Sequence, residues 1–158
     1  MGRYARDTNV SVENSQAEIR KILARYGADS FMLGEQGGRA MVQFSFEGRV
    51  IRFVLELPPR EKFRLTPGRG LYRDDDATFR AWEQGCRQKW RALALFCKST
   101  LEAVDEGIID FDTAFLPHLV LLNDRTVAQE MTPRIQKAIS AQEMPALRLP
   151  HDASAGGA

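Results

Sequence analysis

Two histidines, two cysteines and two groups of aspartates are the side chains in this 158-residue chain best suited to catalysis. Nucleophilic catalysis needs a base beside the nucleophile and a third group that orients the base. His118 stands in the apolar run FLPHLVL, the setting of a core or half-buried imidazole, and His151 stands among Pro, Gly and Ala. Cys86 and Cys97 both fall on the apolar side of one predicted helix, away from the N-terminal end that would favour a thiolate. Eleven residues apart on a helix, their Cα atoms are separated by about 16 Å. A disulfide spans at most ~7 Å, so both read as core thiols of a reducing compartment. No Cys/His cluster has the spacing of a zinc site. Asp110 and Asp112, one residue apart, have the makings of a divalent-cation site, and Asp74-Asp75-Asp76 of another. Carboxylates also cap and complement helix N-termini, and both groups precede helical patterns. The loop Thr66-Pro67-Gly68-Arg69-Gly70 lacks the Lys-Ser/Thr pair of a phosphate-cradling P-loop. The sequence therefore reads as non-enzymatic, with no metal and no cofactor.

Binding chemistry is better represented. Arg60, Lys62, Arg64, Arg69 and Arg73 share one loop with Phe63 and Tyr72, and Arg80, Arg87, Arg91 and Lys98 continue the charge along the next helix. Cations for phosphates with aromatic faces for bases is the usual equipment for nucleic-acid binding. A solvated helix face flanked by a mobile loop gives the same pattern. The net charge of the whole chain is only +1, but it is unevenly spread. Residues 58–98 hold ten basic and five acidic side chains, whereas residues 99–158 hold four and nine. Either the two regions pair with each other and with water, or the basic one faces an acidic partner.

The elements that must position these residues are legible from their periods. Ile19, Ile22, Leu23 and Tyr26 form one stripe of a first helix, with Ser11 as its N-cap (Ser15 with Glu18 is an alternative one turn on) and Gly27 as its stop. A short strand over Ser30–Gly34 follows. Arg39–Phe46 and Arg49–Leu57 then alternate, with Val42, Phe44 and Phe46 against Ile51, Phe53, Leu55 and Leu57, joined at Glu47-Gly48 as a hairpin. From about Ala77 to Glu106 a long helix carries Phe79, Cys86, Trp90, Leu93, Cys97, Leu101 and Val104 on one face. Ala81, Gly85, Ala92, Ser99 and Ala103 make a second face of small residues, which requires a close cover from another helix or a second subunit. The expected cover is a C-terminal helix, opened by Thr126 and Gln129, whose stripe of Val127, Met131, Ile135 and Ile139 also needs a partner. Pro133 either kinks that helix or restarts it.

The expected fold is thus α+β: a three-stranded antiparallel sheet packed by the N-terminal helix and the long helix, with a helical C-terminal cover. Residues 1–10 form a flexible leader, 11–143 a single domain and 144–158 a tail whose composition reads as disordered. No apolar run approaches the ~18 residues of a membrane span, no apolar h-region opens the chain, and cytoplasmic location is the expectation. Oligomeric state is left open.

The segments VSVENSQAEI with ARYGA, IRFVLELP, WEQGCRQKWRALALFCKSTLEAVDEGI, and FLPHLVL with TVAQ resemble a group of small bacteriophage and prophage proteins, over roughly residues 8–149. The resemblance implies a phage context, with no catalytic residue or cofactor attached. Small proteins in that setting handle DNA or interfere with host proteins. Two readings follow: a nucleic-acid-binding accessory protein using the basic loop and ridge, or a module that docks on a host or phage protein and modulates it.

Overall fold

The computed structural model describes residues 5–143. Helix α1 (Val12–Arg25) starts where Ser11 accepts a hydrogen bond from the Asn14 amide, and it ends at Gly27, whose φ of +90° is the left-handed turn a glycine takes without strain. Ser15, the alternative cap, is instead buried within the helix. Three strands follow, β1 (Ser30–Gln36), β2 (Arg39–Phe46) and β3 (Arg49–Glu56), forming an antiparallel sheet in the order β1-β2-β3. The β2–β3 register sets Ala40 opposite Leu55, Val42 opposite Phe53 and Phe44 opposite Ile51. All six are buried, so the period-two alternation puts a continuous apolar face on one side of the sheet.

Helix α2 (Asp75–Asp105) covers that face together with α1. Asp74 is its N-cap, accepting from the Ala77 amide at 2.6 Å, which is the helix-start role expected of the acidic triplet. The buried line along α2 is Cys86, Trp90, Ala94, Cys97 and Leu101. Phe79, placed on that line by its spacing, is 42% exposed and meets Trp82 and Arg60 instead of the core.

Beyond α2 the chain closes the other end of the core. In the short helix α3 (Phe111–Phe115), Phe115 is buried and meets Phe44 edge-on, centroids 6.0 Å apart. A single 3₁₀ turn (Leu116–His118) then leads to Leu119, which bridges to Ile51, while the Val120 amide donates to the Val50 carbonyl. This short pairing covers part of the outer edge of β3.

Helix α4 (Val127–Ser140) departs from expectation. Its capping box, Thr126 with Gln129, forms as the sequence indicates, and the helix runs unbroken through Pro133. The carbonyl of Gln129 would have been the acceptor for residue 133, and proline has no N–H to give it. Arg125 supplies the missing donor at 2.8 Å. Yet α4 does not cover the small-residue face of α2. It rests on the 3₁₀ turn before it, none of its residues is buried, and Met131, Ile135 and Ile139 remain 41–50% exposed. The small face is covered differently: Pro58 and Phe63 close over Gly85, and Ala92 and Ser99 are left exposed.

The leader also differs in its described part. Thr8 is buried, and the backbone carbonyls of Arg6 and Thr8 accept hydrogen bonds from Gln84 and Gln88 of α2. The tail, 144–158, lies outside the described residues. No helix among the described residues is long and apolar enough to cross a membrane.

Candidate nucleic-acid interface

The basic segment between β3 and α2 is a built hairpin, not the mobile loop its composition suggests. After a 3₁₀ turn (Arg60–Phe63), Leu65 bridges antiparallel to Tyr72. The Thr66 amide donates to the Leu71 carbonyl at 2.8 Å, the Leu71 amide to the Thr66 hydroxyl at 3.0 Å, and the Arg73 amide to the Arg64 carbonyl at 2.8 Å. Pro67-Gly68-Arg69-Gly70 forms the tip, with both glycines at positive φ. The Pro-Gly pair between two short apolar stretches was the available sequence signal for this turn.

The hairpin is seated firmly. Trp82 of α2 donates its indole N–H to the Pro58 carbonyl at 2.8 Å. Phe63 packs on Gly85 so closely that a Cβ at that position would lie 2.6 Å from its ring. Phe63 is therefore an anchor for the hairpin and is half-buried.

The nine candidate cations divide by what they already hold. Arg73 donates to the Phe63 and Leu65 carbonyls at 3.0 and 2.8 Å, pinning the base of the hairpin. Arg91 is half-buried and pairs with Glu18 of α1, joining the two helices. Arg87 lies beside Glu83 at 3.6 Å and Gln84 at 3.4 Å. Arg60 donates to the Asp75 carbonyl at 3.2 Å and stacks over Phe79, 5.3 Å from its centroid. Of the ridge expected to lie free along α2, Arg87 and Arg91 are thus engaged in holding the fold. Lys62, Arg64, Arg69, Arg80 and Lys98 are exposed and have no ion-pair partner among the described residues. Arg64 and Arg69 lie on the hairpin and Lys62 in the 3₁₀ turn just before it, whereas Arg80 lies in the second turn of α2 and Lys98 about five turns further along it. Tyr72 is 86% exposed, with Leu65 and Leu71 exposed beside it.

The residues suited to catalysis do not converge. Asp110 caps α3, and bonds from the Thr113 hydroxyl and amide hold its carboxyl below the usual carboxylate range. Asp112 instead pairs with Arg49. Burial pushes the Cys97 thiol up to about 12 and also raises that of Cys86. His118 lies against Phe53, ring centroids 4.3 Å apart, and burial lowers its pKa. Among the described residues, no group of three His, Cys, Asp or Glu side chains is placed to hold a metal ion. No protein-family model, curated protein or solved structure matches the chain.

Proposed function

We propose that this protein is a non-enzymatic accessory protein, of the phage or prophage context its resemblance implies, that binds nucleic acid through the 64–73 hairpin with Lys62 and Arg80. One observation carries the reading: a hairpin braced against the core exposes Tyr72 and carries Arg64 and Arg69, exposed cations that, like Lys62 and Arg80 in the flanking elements, have no ion-pair partner among the described residues. Ordering a loop costs conformational free energy at the moment of binding. A hairpin already held by its own hydrogen bonds avoids most of that cost. Charge reversal tests the reading. Arg64→Glu with Arg69→Glu removes two phosphate contacts without touching the core, and an anisotropy titration at low salt then shows weakened binding in a protein of unchanged melting temperature. Retained affinity would move the site off the hairpin.

The second reading, docking on a host or phage protein, draws support from a different place. The apolar stripe of α4 is exposed from Met131 through Ile139, and Leu122 in the preceding turn is fully exposed. Ile135→Glu discriminates between the readings, since it alters that stripe and leaves the hairpin intact.

A further inference from the structure

Resting on the nucleic-acid reading above, we infer that the hairpin takes single-stranded rather than duplex nucleic acid, with a base stacked on Tyr72 and the flanking phosphates on Arg64 and Arg69. The Leu65–Tyr72 bridge puts both side chains on the same face of the ribbon, because residues directly opposite in an antiparallel pair share a face. That face offers a phenol ring 86% exposed beside an aliphatic side chain 46% exposed, a surface shaped for a planar ring. Arg69 sits in the tip of the hairpin and Arg64 at its base, next to Leu65 in the chain, so exposed cations occur at both ends of the ribbon. Stacking platforms interleaved with cations suit unpaired bases, whose faces are available. In a duplex those faces are already stacked on one another.

Charge argues in the same direction. The hairpin springs from an acidic collar: Glu61 on one side and Asp74, Asp75 and Asp76 on the other, all exposed. Glu61 and Asp75 line the same shallow depression as Arg60 and Arg64. The cationic strip is therefore narrow and bordered by carboxylates. Duplex DNA carries a phosphate charge every ~1.7 Å of its axis, divided between two strands. Laid on the hairpin, it would bring phosphates against the collar. A single strand needs only one track, which the hairpin supplies.

The test is an anisotropy titration of the full chain with an oligothymidylate, an oligouridylate and a duplex of equal length. Single strands are expected to bind roughly tenfold or more tightly than the duplex, and Tyr72→Ala to lose about tenfold on single strands alone. Tyr72→Phe, which keeps the ring, restores that binding. The two single strands compete through the same chemistry, and a preference between them identifies DNA or RNA as the source. Because Tyr72 is exposed, Tyr72→Ala is expected to melt with wild type. Duplex binding as tight as single-strand binding, or Tyr72→Ala binding like wild type, would overturn this inference and leave the broader reading standing. No binding of any of the three would overturn both.

Discussion

Phe53 is where the aromatic side chains of the core converge. Its ring lies 6.5 Å from that of Phe44, 6.4 Å from Phe115 and 5.7 Å from Phe96, and it is only 6% exposed. Emptying such a site removes transfer free energy and leaves a cavity, so Phe53→Ala is expected to cost about 3–5 kcal/mol in chemical denaturation. A midpoint near wild type would contradict the inward face of β3. His118 lies tilted against the same ring and adds a pH dependence. Burial holds its pKa below the ordinary 6.5, so the fold prefers the neutral imidazole. Stability is then complete above pH 6.5 and declines as the pH falls toward the lowered folded value, because protons bind the unfolded chain more readily. Asp110 acts in the same direction at lower pH: its depressed pKa gives stability that is lost only as the pH falls below the ordinary carboxylate value. Melting curves between about pH 7 and pH 5 should therefore slope downward with acid, and His118→Gln should flatten them. At this scale the sequence was readable for aromatics and poor for charges. Alternation along β2 and β3 shows which rings face inward. Nothing local reveals that Arg91 is occupied, since its partner Glu18 lies on another helix.

Between elements, the contact between Gly85 and Phe63 decides whether the hairpin keeps its seat. The small residues on α2 correctly signalled a close approach. Spacing reports that something comes near and not what it is, and the close neighbours proved to be Pro58 and the ring of Phe63. Gly85→Val fills the space that ring occupies and is expected to destabilise by about 1–3 kcal/mol, the usual cost of overpacking. Phe63→Ala in the same background should recover part of the loss, since the clash then has no second party. A double-mutant cycle in denaturant reads the coupling, and additive effects would show that the two residues do not meet. Helix α4 was legible as a helix for local reasons, through its capping box and period. Its lack of a cover was not, because an apolar stripe looks the same whether or not a partner exists. An isolated helix of its length is marginal in water. Its cap and the Arg125 bond to Gln129 supply support that packing does not.

For the whole molecule, the electropositive middle of the chain is spent in two ways. Four of its nine candidate cations hold the chain together: Arg60 and Arg73 within the hairpin region, and Arg87 and Arg91 along α2. Of the exposed remainder, Lys62, Arg64 and Arg69 lie on or next to the hairpin in the chain, and Arg80 and Lys98 lie on α2. Free cations are useful only against a partner with fixed negative charge, and phosphate binding has a thermodynamic signature that other contacts lack: it releases condensed counterions. The most direct measurement is the affinity for nucleic acid as a function of salt, for wild type and for Arg64→Glu with Arg69→Glu. The account predicts that log affinity falls linearly with log salt, each phosphate contact adding about 0.7–0.9 to the slope, and that the double variant has the shallower slope as well as the weaker binding. Absence of binding at low salt, or an affinity indifferent to salt and to the two substitutions, would contradict it.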